Sequence, residues 1–301
     1  MTDPACALSP STVDTVPPGV HEQELTLTAV DGYALACTLW QPEAGNGAWV
    51  QIHPATAVPR GVYVKYGRYL ASRGFVVATL DYRGIGDSLR QPIKTFRGRL
   101  RDWGGLDVPA LMALKAERFP DLRHLAVVHS IGGQILGLIP EVERLDAVWG
   151  VGAQWPSWRF WPAPGRYANK ALTLMTPAVV GLLGYFPGRW LGMGDLPPEI
   201  GKEWMRWHGS PHYIVDASGR PWRPYNHLLR AKARWNALWD DHRLAPAASV
   251  EEMLRIYPNA DGEFHLIGPD KAGGAIGHFG FFRSRYRDTL WRESADWLES
   301  V

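Results

Sequence analysis

The stretch Ala126-Val127-Val128-His129-Ser130-Ile131-Gly132-Gly133 joins an apolar run to a pair of glycines, with one serine at the joint. The apolar run reads as a buried strand, and the segment after the serine as the start of a helix. In an open parallel sheet such turns lie at the carboxyl edge, where sites form. Ser130 therefore has two readings. One is a nucleophile on a cramped turn that needs small residues two positions to either side. The other is a hydroxyl that caps the helix by accepting a backbone N–H. Gly132 meets the steric demand of the first, and Val128 meets it only if the neighbouring strand leaves room.

Outward from this turn, strand and helix signals alternate. Residues 24–40 read as two strands around Asp31-Gly32, a hairpin signal. Residues 48–53 form a short apolar run, and Tyr63, Tyr66, Tyr69 and Leu70 share one face of a helix that ends at Gly74. A buried strand is expected over 75–80, helices over 106–119 and 132–138, and strands over 124–130 and 145–153. The rhythm stops near Gln154 and resumes with a strand at 234–241, a helix at 249–257, a strand at 263–268 and a last helix over 285–298. The expected architecture is α/β: a mostly parallel sheet, made mixed by the first hairpin, with helices on both faces. Residues 21–153 and 234–301 make the core, residues 154–233 are an inserted helical cap, and residues 1–20 are a loose leader with no signal-peptide pattern.

The composition excludes several classes. With 46% hydrophobic and 21% charged residues in 301, the chain is globular and not disordered. A net charge of +2 without a block of Lys and Arg gives no support for nucleic-acid binding. The two cysteines, Cys6 and Cys37, make no C-x-x-C pair, so no zinc site, disulfide framework or other metal site is expected, and a cytoplasmic setting is. The apolar region 171–186 is broken by Pro177, and stable membrane insertion is not expected. Its polar face lacks the Lys and Arg that helices resting on a membrane surface favour, so that placement is not expected either. Fifteen Trp point to broad apolar surfaces. Trp155, Trp158, Trp161, Trp190, Trp204, Trp207 and Trp222, with Leu172, Leu174, Met175, Val179, Val180, Leu182 and Leu183, either line an acyl pocket or hold the insertion to the core.

A serine hydroxyl attacks a carbonyl only when a base removes its proton. His278, in the glycine-rich loop "AIGHFGFF" before the last helix, has the position and chain order for that base. His265 sits inside a strand pattern, His129 is expected to point away from the site, and His53 is expected to order the loop after its strand. The base needs a carboxylate to fix its tautomer. Asp240 and Asp241 in "LWDDHRLAP" both fit, and Asp241 is favoured because the loop turns just after it. Oxyanion donors are expected from the N–H of Ile131 and from the loop "HPATAVPRG", at Ala55 with Thr56 beside it. The loop "DYRGIGDS" is expected to serve as structural support.

Together, "HPATAVPRGVYVKYGRYLASRGFVVATLDYRGIGDS", "HSIGGQILGL", "DDHRLAP" and "GHFGFF" resemble the α/β-hydrolase superfamily. They are most similar to bacterial predicted hydrolases related to the serine aminopeptidase and monoacylglycerol lipase group. "GYFPGRWLGMGDLPPEIGKEWMRW" in the insertion fits the same group, and the resemblance runs from about Glu24 to the end of the chain. It implies the α/β-hydrolase fold, Ser130 as nucleophile, His278 as base, Asp241 or Asp240 as acid, and Ala55 and Ile131 as oxyanion donors. Val128 and Pro54 depart from it, standing where glycine is usual.

The expectation is a cofactor-free serine hydrolase that cleaves a small-molecule carboxylic ester through an acyl-enzyme. Three alternatives use the same fold. An acyltransferase would replace water with another acceptor. An aminopeptidase would need an acidic group for the substrate ammonium, with Glu199 and Glu203 as candidates, and Arg159, Arg166 and Arg189 are candidates for an acidic substrate group. A binding protein would carry the fold with a dead site.

Overall fold

The computed structural model describes residues 14–301. Eight strands form one sheet: β1 Val20–Thr28, β2 Ala34–Pro42, β3 Ala48–His53, β4 Val76–Leu80, β5 Arg123–His129, β6 Ala147–Val151, β7 Lys232–Leu238 and β8 Asp261–Ile267. Their order is β1-β2-β4-β3-β5-β6-β7-β8. The first two strands form an antiparallel hairpin closed at Asp31 and Gly32, and β2 pairs antiparallel with β4. Every other pairing is parallel. The helices are α1 Val64–Ser72, α2 Val108–Arg118, α3 Ile131–Gln134, α4 Gly165–Leu183, α5 Pro198–Gly209, α6 Ala247–Glu251, α7 Met253–Ile256, α8 Pro269–Ala272 and α9 Arg292–Ser300.

The alternation of side chains along each strand divides the core into two layers. On one face Trp49 of β3, Ala126 and Val128 of β5 and Val148 of β6 join Leu111 of α2, Ile131 of α3 and Met253 of α7. On the other face Val50, Ile52, Leu125, Val127 and Trp149 join Tyr66 and Leu70 of α1 and Leu298 of α9. Burial on both sides explains why these strands read as unbroken apolar runs.

Three details differ from the sequence pattern. The expected helix over 132–138 is one short α turn followed by a 3-10 turn, Ile135–Leu138. The expected helix over 249–257 breaks between α6 and α7 at Glu252. The last helix is regular only from Arg292, after a π turn over Arg287–Trp291. Local periodicity marks the apolar face in each case, while packing sets the hydrogen-bond register. Cys37 is buried and its thiol is pushed up to about 12 by loss of solvation, which makes it inert, and Cys6 lies outside the described residues.

The connections place a site. From β3 the chain crosses through α1 to β4 on one side, and from β4 it crosses through α2 to β5 on the other side of β3. The crossovers therefore diverge between β3 and β5, and a crevice opens at their carboxyl ends. Residues 53–56 leave β3 there, and Ser130 follows β5. Between β6 and β7 the chain leaves the sheet and forms α4 and α5.

Candidate active site

Ser130 has φ 51° and ψ −115°, a conformation costly for any residue with a Cβ. Its N–H donates to the Val151 carbonyl at 3.1 Å and its carbonyl accepts the Gly133 N–H at 3.1 Å, so the turn is pinned from both sides. The hydroxyl makes no cap bond to α3. The close approach demands glycine at 132, because a Cβ there would fall 2.6 Å from the His53 carbonyl oxygen. Val128 is accommodated because its register partner on β6 is Gly150 and because Gly133 leaves space beside it. A Cβ at 133 would lie 3.1 Å from Val128 Cγ2.

His278 and Asp241 meet. The imidazole Nδ1 lies 2.5 Å from Asp241 Oδ2, with both side chains at most 5% exposed. The carboxylate's other oxygen accepts the N–H groups of Leu244 and Ala245 at 3.2 and 3.3 Å. With Nδ1 donating to the carboxylate, Nε2 keeps its lone pair. Asp240 is occupied elsewhere: it accepts the N–H of Ile276 at 2.8 Å and of Gly277 at 3.0 Å, and so holds the loop that presents His278. Gly152, at φ 53°, lets the chain pass close to the pair, since a Cβ would lie 3.3 Å from the His278 ring.

Ser130 and His278 line one cavity of about 340 Å³, walled by Trp161, Leu172, Leu191, Met193, Trp204 and Phe279. The Ser130 hydroxyl is turned toward Gln154 Oε1 at 3.5 Å and makes no hydrogen bond to His278 among the described residues. Gln154 is itself oriented: its Oε1 accepts from Gln134 Nε2 at 3.0 Å, and its Nε2 donates to the Leu244 carbonyl at 3.1 Å. Gln154 lies in the segment after β6 and carries no motif, so nothing in the sequence singled it out.

His129 does not simply point away. Its Nε2 lies 2.9 Å from the His278 carbonyl oxygen, which only accepts, so Nε2 carries the proton. Its Nδ1 then accepts the Tyr63 hydroxyl at 2.8 Å, and Tyr63 Oη accepts the Ala55 N–H at 2.8 Å. Burial, with a smaller push from His278, holds the His129 pKa well below the usual range and keeps the ring neutral. This chain of bonds ties the loop after β3 to the loop bearing His278. Ala55, expected as an oxyanion donor, lines the cavity while its N–H donates to the Tyr63 hydroxyl. Among the described residues the Thr56 and Ile131 N–H groups have no protein acceptor, and Thr56 lines the cavity.

His53 is fully buried, accepts from Gln51 Nε2 at 2.9 Å and faces the Gly132 carbonyl at 3.4 Å. Burial lowers its pKa to about 4. His265 stands in β8 beside Glu263. In the loop after β4, Asp81 accepts from the Arg60 and Asp87 N–H groups, and Arg83 binds Asp107 and Asp31, which are strapping contacts between loops.

No family model matches the chain, and no curated protein matches it. Solved structures do. A hypothetical protein from Pseudomonas aeruginosa superposes with a TM-score of 0.63 at 13% identity, covering 96% of each chain. A Pyrococcus furiosus esterase gives 0.59 at 14% identity, covering 98% of this chain and 94% of that one. Mouse alpha/beta hydrolase domain-containing protein 10 gives 0.56 at 15% identity, covering 92% and 99%. The chain has the α/β-hydrolase fold.

On that fold several expected cavity residues stand elsewhere. Glu203 is buried against Arg101 and Arg206, and Glu199 pairs with Lys202 at 3.0 Å, so neither offers a carboxylate to a substrate ammonium. Arg159 and Arg166 donate to the Pro211 and Trp161 carbonyls, Arg189 pairs with Asp195, and none of the three lines the cavity. Leu172 faces the cavity, whereas Leu174, Met175 and Leu182 are exposed. Among the described residues no group of three or more His, Cys, Asp or Glu converges as metal ligands would, and no helix is long and apolar enough to cross a membrane.

Proposed function

We propose that this protein is a serine hydrolase that cleaves carboxylic esters of apolar acyl groups. The observation that carries the proposal is Ser130 on a strained, uncapped turn in the same apolar cavity as a histidine whose far nitrogen is held by a buried aspartate. The motif resemblance to the serine aminopeptidase and monoacylglycerol lipase group supports the same reading, with residues 154–233 as a cap over the cavity.

Rotation about the Ser130 side chain brings Oγ from Gln154 to His278 Nε2. Oγ forms a bond to the substrate carbonyl carbon while its proton passes to Nε2. The Asp241 carboxylate stabilises the resulting imidazolium and stays ionised. The carbonyl electron pair moves onto oxygen, held by the N–H groups of Ile131 and Thr56. The tetrahedral species collapses, the ester C–O bond breaks, and the leaving alcohol takes the proton from Nε2. Water then attacks the acyl-enzyme with His278 as base, releasing the acid and restoring Ser130.

The bond from Ser130 to Gln154 favours one competing reading, a binding protein with an idle site. A series of p-nitrophenyl esters of increasing acyl length, with Ser130→Ala as control, separates the two. Hydrolysis lost by on the order of 10⁶ in kcat in the variant supports catalysis. A wild-type protein that neither hydrolyses any ester nor reacts with a fluorophosphonate at Ser130 would establish the idle site. Added alcohols or amines that divert product to new esters or amides would assign acyl transfer instead.

A further inference from the structure

The longest helix, α4, buries only Thr176 and Val180 of its 19 residues. Its inner face, through Gly165, Ala168, Asn169 and Leu172, lines the cavity. At 3.6 residues per turn, Tyr167, Ala171, Leu174, Met175, Ala178 and Leu182 fall within an arc of about 100° beside that cavity face. All six are exposed, Leu174 by 73% and Leu182 by 86%. Just beyond the helix, Trp190 is 66% exposed. An ordinary surface helix turns its apolar stripe inward, and this one turns a second stripe to solvent.

Charge selects the occupant. Residues 155–194 contain Arg159, Arg166, Lys170 and Arg189 and no Asp or Glu. Among the described residues only Arg189 of these four has an acidic partner, Asp195. The helix begins at Gly165, six residues before the apolar region read from sequence, and so includes Arg166 and Lys170, which correct the expectation of a polar face without Lys and Arg; they lie along one flank of the stripe, and Tyr167 and Trp190 are amphipathic rings toward its two ends. A second copy presenting the same face would bring no carboxylate to meet these cations. An anionic lipid surface would neutralise them while taking up the leucines.

We propose that the outer face of α4, with Trp190, docks this protein on the surface of an anionic lipid bilayer. The helix lies in the interface plane without crossing it, and its neighbouring face still lines the cavity. The docking stands apart from the catalytic reading, because it is measured without turnover.

The test is co-sedimentation of the full chain with sucrose-loaded vesicles of equimolar phosphatidylcholine and phosphatidylglycerol, compared with phosphatidylcholine alone. Binding to the anionic vesicles is expected, weakening as salt shortens the screening length. The double variant Leu174→Ser/Leu182→Ser should lower partitioning about tenfold or more and leave turnover of a soluble short-chain ester unchanged. Lys170→Glu should weaken binding to anionic vesicles alone. All three positions are exposed, and thermal melts of each variant check the fold. Absence of wild-type binding at low salt overturns the proposal, as does equal binding by the double variant. A concentration-dependent dimer that the double variant abolishes would assign the face to a second copy and overturn it too.

Discussion

Two adjacent aspartates, both of which fit the acid's place in the sequence, are predicted to fail in different ways. In Asp241→Asn the Oδ1 atom keeps the bonds from the Leu244 and Ala245 N–H groups, while an amide N–H replaces the oxygen that meets His278 Nδ1 at 2.5 Å. Two donors cannot face each other, so the imidazole moves its proton to Nε2 and can no longer take one from Ser130. Loss of the correct tautomer costs about 10⁴ in kcat, equivalent to about 5 kcal/mol at 1.36 kcal/mol per tenfold. Stability should fall less, by about 1–3 kcal/mol for one charge-assisted bond. In Asp240→Asn the loss is also about 1–3 kcal/mol in stability, because the Ile276 and Gly277 N–H groups lose an ionised acceptor. The imidazole keeps its own partner, so kcat should drop by about tenfold or less, as expected for loosened positioning. Initial rates on a p-nitrophenyl ester, with urea melts of both variants, test the contrast. Equal kinetic losses, or a larger loss in Asp240→Asn, would refute the assignment.

Other outcomes follow from the same contacts. Gly132→Ala should destabilise the fold by about 1–3 kcal/mol and abolish activity, since its Cβ would press on the His53 backbone at 2.6 Å; an unchanged urea midpoint would contradict the packing described. Tyr63→Phe leaves the Ala55 N–H and His129 Nδ1 without partners, so a loss of about 2–4 kcal/mol is expected. Its ¹⁵N spectrum should show an altered His129 Nδ1 shift, and an unaltered one would remove Tyr63 from the relay. His53 is buried and His208 half-buried, with pKa values lowered to about 4, and buried His124 is lowered to about 3, in each case first by loss of solvation. The unfolded chain takes up protons at these rings near pH about 6.5 and the folded chain does not, so stability is unaffected above that pH and falls as pH drops toward 4. The His53 shift alone is worth on the order of 3 kcal/mol at the low end, and a urea midpoint that stays flat from pH 6.5 to 4 would argue against buried neutral rings.

Much of this molecule is carried by short-range pattern. Strands β3, β4 and β5 and the first hairpin follow from apolar runs and from Asp31-Gly32, because strands buried on both faces cannot admit polar residues except where these find partners, as Gln51 does with His53 and His124. The order of motifs at Ser130, the two aspartates and His278 was legible for the same reason: chain order is written in sequence. The opening ambiguity at Val128 was not, because the space it needs is made by Gly150 on another strand and by Gly133 across the turn.

What the sequence by itself determined is the α/β alternation and the chain order of Ser130, the two aspartates and His278. Only the tertiary structure decided which aspartate faces His278, that the Ala55 N–H is taken by Tyr63, that Gln154 holds the serine hydroxyl, and which side of α4 meets solvent. The physical reason is one of range. Periodicity along a chain reports whether a residue is apolar and how often, whereas a hydrogen bond or an exposed face depends on which distant segment arrives beside it. An apolar stripe reads the same in sequence whether it turns toward the core or toward the surroundings, and here the helix carries one for each.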